Sequence, residues 1–146
     1  MGSFRPKDVA DIMSRKLVTL FEGDSLGIIE QGMSHYRFRH LPVIDQQGRL
    51  VGLVTQRDLL LATPSPLEER PDARKLDLWK RFRVADIMTR GVLAVAPDLP
   101  LRDAASIMRD KKLGCLPVTN AEGLLVGLVT EADFVKLAVE LLDRWA

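Results

Sequence analysis

Apolar and polar positions run along this chain in one order, and the order is spelled out twice. Residues 17–21 and 92–96 are short β-prone runs. Residues 25–36 and 100–111 carry helical spacing, with Leu26, Ile29 and Met33 on one face in the first case and Leu101, Ala104, Ala105 and Met108 in the second. Asp24 or Ser25, and Asp98, suit the N-cap positions of these helices, and Pro100 suits a first turn. Two apolar runs follow, 41–44 and 50–55, separated by Asp45-Gln46-Gln47-Gly48, which predicts a hairpin. The matching turn in the second half is Asn120-Ala121-Glu122-Gly123. A last helix begins near Gln56 and again near Glu131, where Phe134, Leu137, Ala138, Leu141, Leu142 and Trp145 recur at helical spacing. Each half therefore reads β-α-β-β-α, an α/β (α+β) pattern. One half alone is too small to bury both faces of its sheet.

The periodicity is a duplication. Val9-Ala10-Asp11-Ile12-Met13 recurs as Val84-Ala85-Asp86-Ile87-Met88, and Leu41-Pro42-Val43 as Leu116-Pro117-Val118. Leu50-Val51-Gly52-Leu53-Val54-Thr55-x-x-Asp58 recurs as Leu125-Val126-Gly127-Leu128-Val129-Thr130-x-x-Asp133. One offset of 75 (84 − 9, 116 − 41, 133 − 58) aligns residues 9–58 with 84–133 without a gap and gives 19 identical pairs among 50. Chance supplies about three at a residue frequency of roughly 6%. Two copies are too few for a solenoid, so paired half-domains are expected. The expected boundaries are 1–62 for the first repeat, 63–83 for a partly helical linker and 84–146 for the second repeat. Pro64 and Pro66 end the first repeat. Residues 68–83 mix six basic with four acidic side chains around Leu76, Leu78, Trp79 and Phe82, the pattern of a packed linker helix rather than a nucleic-acid patch.

Composition narrows the class. The 146 residues carry 21 basic and 20 acidic side chains, a net charge of +1 that gives no global pull toward nucleic acid or anionic membrane. No apolar run approaches the roughly 20 residues of a membrane span. The opening Met1-Gly2-Ser3-Phe4-Arg5-Pro6 lacks the apolar core of a secretory signal, and a cytoplasmic location is expected. The single Cys115 excludes an internal disulfide and a cysteine zinc cluster. His35 and His40 have no acidic or cysteine partner nearby in sequence, so no metal is expected. Cys115 has no His–acid partner, so it is expected to pack rather than react. The methionines at 13, 33, 88 and 108 repeat in register, which marks core.

The candidate chemistry lies where strand turns into helix. Thr55 stands at an N-cap and Asp58 three residues on, the spacing of a capping box that needs no ligand. The same geometry suits a nucleotide: a helix N-terminus and a hydroxyl for phosphate, a carboxylate for a sugar diol. Spacing alone leaves both readings open.

The set V-x-D-I-M-[ST], L-P-V-h-[DN]-x-x-G and G-L-V-T-x-x-D, occurring twice, resembles the cystathionine-β-synthase (CBS) domain family, whose paired form is the Bateman module. The resemblance covers about residues 9–146. It implies two repeats packed about a pseudo-twofold axis, with two clefts that bind AMP, ADP, ATP or S-adenosylmethionine, and frequent homodimers. It places ribose on Asp58 and Asp133 and phosphate on Thr55 and Thr130. It places adenine against Ser14, Leu17 and Val18, or Thr89, Val92 and Leu93, and against Phe38, Arg39 and His40, or Leu113, Gly114 and Cys115. Arg37, Arg39, His40 and Arg57 mark the first cleft as the tighter phosphate site, since the second has Ala132 for Arg57 and Cys115 for His40. The expected function is a non-catalytic regulatory module with no cofactor. The alternatives are a ligand-free dimerisation module, in which Thr-x-x-Asp only caps helices, and an enzyme. Val135, Val139 and Leu142, with Leu59, Leu60 and Leu61, are the expected dimer face. The regulated protein partner stays unnamed.

Overall fold

The computed structural model of the chain describes residues 5–27, 29, 39–62 and 81–146. The chain divides into two units, Val18–Val92 and Met1–Leu17 with Leu93–Ala146. We refer to them as the first-repeat and second-repeat units.

In the first-repeat unit, β1 (Leu20–Phe21) runs parallel to β2 (His40–Ile44), which pairs antiparallel with β3 (Leu50–Thr55). The hairpin is the expected one. Asp45 Oδ1 accepts from the N–H groups of Gln47 and Arg49, both at 2.9 Å, and Gly48 takes the positive φ that closes the turn. Helix α1 (Gln56–Ala62) starts directly from β3. A short helix, α2 (Val84–Ile87), then leads to Thr89, which exchanges backbone hydrogen bonds with Leu53 at 2.9 and 3.0 Å and so extends the sheet beyond β3.

The second-repeat unit repeats the plan. Helix α3 (Leu101–Lys111) precedes the hairpin of β4 (Cys115–Thr119) and β5 (Leu125–Thr130), and α4 (Glu131–Trp145) follows. Asn120 Oδ1 does the work of Asp45, accepting from Glu122 and Leu124. Here Ser14 exchanges backbone hydrogen bonds with Leu128, at 2.9 and 3.1 Å.

The segment that enters each repeat thus packs on the other repeat's hairpin. Val9 and Met13 join Val95, Ala104, Met108, Leu116, Val118 and Val129 in one core, and Val84 and Met88 join Leu20, Leu26, Ile29, Leu41, Val43, Val54 and Leu59 in the other. Each buried aliphatic side chain contributes about 1.5–3 kcal/mol. The shared glycine of the motif marks the contact. A Cβ at Gly127 would collide with Met13 Sδ and stand 2.8 Å from its Cγ, and one at Gly52 would stand 2.8 Å from Met88 Sδ. Met33 lies outside the described residues.

Two expectations change. The run 17–21 pairs only at Leu20 and Phe21, and the run 92–96 only at Val95, which bridges Val118. The prolines explain this. Val95 donates to the Pro117 carbonyl and accepts from Thr119 N; the next bond toward the N-terminus would need an N–H that Pro117 lacks. Pro42 truncates β1 in the same way. Asp98 does not cap α3, because the extended Pro100 (φ −57°, ψ 140°) occupies the N-cap position and offers its carbonyl to Asp103 and Ala104. Asp24 likewise accepts from Phe21 N at 2.8 Å in a turn, while Ser25 directly precedes helical Leu26. Most of the expected helix over 25–36 and the linker up to residue 80 lie outside the described residues.

Candidate functional site

The strand-to-helix junctions place the repeated Thr and Asp as their spacing predicts. In the first-repeat unit, Thr55 N donates to Asp58 Oδ2 at 2.9 Å and Asp58 N donates to the Thr55 hydroxyl at 3.2 Å. In the second-repeat unit, Thr130 N and the Thr130 hydroxyl both donate to Asp133 Oδ2, at 2.8 and 3.3 Å. Both are capping boxes.

The boxes leave specific groups over. Gln56 N donates to the Arg39 carbonyl at 2.9 Å, and Glu131 N to the Gly114 carbonyl at 3.1 Å. With the third amide occupied by the Thr hydroxyl, the second, on Arg57 or Ala132, is the first-turn N–H without a partner among the described residues. Asp58 and Asp133 each hold Oδ2 in the box, and neither Oδ1 has a partner among the described residues. A carboxylate fixed through one oxygen and open at the other suits a diol, whose two O–H groups it can accept. A helix N-terminus with one open amide offers phosphate less than the full set of free N–H groups.

The remaining site residues regroup across the sequence. Thr89 bonds to Leu53, two residues before Thr55, so Thr89 and Val92 share the unit of Asp58, Arg39 and His40. Ser14 bonds to Leu128, two residues before Thr130, so Ser14 and Leu17 share the unit of Asp133, Leu113, Gly114 and Cys115. Grouping these residues by copy, as sequence order suggests, is corrected by the exchange of entry segments. Val18 and Leu93, each 42% exposed, fall on the opposite sides of the unit boundaries from Leu17 and Val92. Phe38 and Arg37 lie outside the described residues.

Charge separates the two sites. Arg39, Arg57 and Arg81 are exposed in the first-repeat unit. In the second-repeat unit Cys115 replaces His40 and is buried, and burial pushes its thiol up to about 12, so it is an un-ionised packing residue at neutral pH. Beside Asp133 lies a groove of about 210 Å³, lined by Asp11, Ile12, Asp133, Lys136, Leu137 and Glu140 among others. Asp11 Oδ2 accepts from Lys7 N at 2.7 Å and Asp8 N at 3.2 Å, and these backbone donors hold its carboxyl below the usual range. Sequence reading missed this groove. Asp11 was visible as one of a repeated pair, with Asp86, but Lys136 and Glu140 carry only the spacing of a polar helix face.

On α4, Val135, Val139 and Leu142 are 63%, 53% and 57% exposed. Leu59, expected to share a face with them, is buried in the first-repeat core, and the side chains of Leu60 and Leu61 lie outside the described residues. No helix among the described residues is long and apolar enough to cross a membrane, and no cluster among them offers three metal-ligating side chains.

Comparison with known proteins gives consistent results. The CBS domain profile matches residues 9–65 and 84–140. A CBS domain-containing protein of Dictyostelium discoideum is 32% identical over 135 residues, spanning 92% of this chain and 93% of its own. The CBS-pair protein CBSX2 of Arabidopsis thaliana superposes with a TM-score of 0.80 at 29% identity, covering 93% of this chain and 96% of that one; CBSX2 has also been solved in complex with AMP. The CBS domain pair of protein MJ0100, solved with 5′-methylthioadenosine and S-adenosylmethionine, gives a TM-score of 0.72 at 27% identity, covering 91% and 96%.

Proposed function

The chain belongs to the CBS-domain family, and from that premise we propose that it is a non-catalytic regulatory module of the cytoplasm that binds adenosine derivatives at its two Thr-x-x-Asp junctions. The ligand is AMP, ADP, ATP or S-adenosylmethionine. The observation that carries this reading is the twice-built carboxylate, anchored through Oδ2 and open at Oδ1. Relatives of the same fold hold AMP, 5′-methylthioadenosine and S-adenosylmethionine, which supports the ligand class. Asp58 and Asp133 take ribose hydroxyls, and Thr55 with the neighbouring open amide faces phosphate. Arg39, His40 and Arg57 make the Thr55/Asp58 site the tighter one for a phosphorylated ligand. Binding regulates only if affinity differs between two states of the module or its partner. The exposed Val135, Val139 and Leu142 supply a face for a second copy.

Thermal unfolding with each nucleotide at millimolar concentration tests the reading. A ligand at 100 times its dissociation constant adds about 2.7 kcal/mol, a rise of about 5–10 °C for a chain of this size. Loss of the AMP shift in Asp58→Ala is expected. The competing reading, that Thr-x-x-Asp only caps helices, draws on the completeness of both capping boxes. It prevails if no adenosine compound moves the transition.

A further inference from the structure

We propose that the Asp133 site rejects phosphorylated adenosines and takes an adenosine derivative whose 5′ side is neutral or cationic, so that the two sites of one chain read different ligand classes. This deepens the adenosine-binding reading above and rests on it. The groove beside Asp133 sets the carboxylates of Asp11, Asp133 and Glu140 against one ammonium, Lys136, a balance of −2 (1 − 3). Asp11 is held ionised by the backbone N–H groups of Lys7 and Asp8. A phosphate entering here adds like charge to a site where the single cation is already outnumbered, and such juxtaposition suppresses the wrong ligand.

The matched positions of the first repeat keep two of these carboxylates, Asp86 for Asp11 and Asp58 for Asp133, and differ around them. At the offset of 75, Lys136 and Glu140 correspond to Leu61 and Ser65, Ala132 to Arg57, and the groove-lining Pro6 to Arg81. The Asp pair therefore belongs to the shared scaffold, and the acidic excess of the second site comes from Glu140 together with the absence of counterparts to Arg57 and Arg81, partly offset by Lys136. At about 210 Å³ the groove is smaller than the roughly 300–1,000 Å³ of a pocket that encloses a whole ligand. It holds one end of a nucleoside, next to the carboxylate that holds the ribose.

Isothermal titration of the full chain with AMP and with adenosine tests this, using Asp58→Ala, Asp133→Ala and Glu140→Lys. The expected pattern is one AMP site, lost in Asp58→Ala and kept in Asp133→Ala, and an adenosine site lost in Asp133→Ala. Glu140 is exposed on α4, so its replacement leaves the core intact. Glu140→Lys is expected to strengthen AMP at the second site by about tenfold or more, the scale of one charge reversal worth about 1.4 kcal/mol. AMP binding abolished by Asp133→Ala alone, or adenosine binding there with AMP unmoved by Glu140→Lys, overturns the charge assignment while leaving adenosine binding intact. Absence of any heat with adenosine and AMP in the wild-type chain overturns the underlying reading as well.

Discussion

The first-repeat and second-repeat units share a hairpin register, a bulge position, a capping box and a glycine–methionine contact, yet they differ in the charges that surround the shared Asp58 and Asp133. Pro42 and Pro117 truncate the same ladder, and Asp45 and Asn120 close the same turn. Arg39, Arg57 and Arg81 are exposed in the first-repeat unit, whereas Asp11, Asp133 and Glu140 with Lys136 line the groove of the second-repeat unit. The backbone is set by apolar positions that duplication kept, whereas the exposed positions were free to diverge. The difference teaches that one scaffold carries two rims of different charge, and under the proposed function the rim would set the ligand class.

The largest test concerns the core each entry segment fills. Met13→Ala and Met88→Ala each remove a side chain only 8% exposed, at an expected cost of about 2–5 kcal/mol. Native-state hydrogen exchange gives the location. Met13→Ala is expected to loosen the β4–β5 hairpin, and loosening of the β2–β3 hairpin instead would break the exchanged arrangement.

A smaller effect separates Cys115 from His40 of the first repeat. Its thiol ionises near pH 12 in the fold but near 8.5 when unfolded, so above pH 8.5 the unfolded chain has given up a proton the folded one keeps. Stability falls as pH rises, by up to about 1.4 kcal/mol per pH unit from this group. Urea unfolding at pH 8 and 10 checks it, with Cys115→Ala flattening the slope. An unchanged slope would return Cys115 to the solvent.

The smallest effect lies at the surface. Arg90 pairs with Glu22 at 2.8 Å, with the side chains 60% and 43% exposed. The matched Arg15 meets the Ala10 carbonyl instead, because Pro97 stands at the equivalent of Glu22. Glu22→Gln is expected to cost about 0.2–1 kcal/mol, less as salt is raised. A larger loss would make this pair a structural difference between the units.

The hairpins and the capping boxes were legible in the sequence because their signals are local: Leu-Pro-Val, an Asx-turn with glycine, and Thr three residues before Asp. The exchange of entry segments was not. Both copies carry the same Val-Ala-Asp-Ile-Met and the same Gly-Leu-Val-Thr, so either pairing satisfies the same side chains, and chain connectivity alone chooses. The shortened strands were legible in principle, since Pro42 and Pro117 are plain to read, but only once the parallel neighbour is known does the missing N–H fall at Leu93 or Val18. Asp98 looked like a cap because its chemistry is right; Pro100, with no N–H to satisfy and an extended ψ, took the position. Family resemblance singled out the Thr and Asp of the candidate sites. It had no purchase on Lys136 and Glu140, which belong to this chain's own rim.

The docking of Met13 against Gly127 and of Met88 against Gly52 bears on ancestry. A lone copy carries one entry arm and one hairpin, and in the present chain these do not serve each other. Before the gene doubled, a single copy would complete its interior by trading arms with a twin, as a reciprocally swapped dimer. Fusion would make the trade intramolecular, at a high effective concentration, and would leave the two halves free to evolve apart.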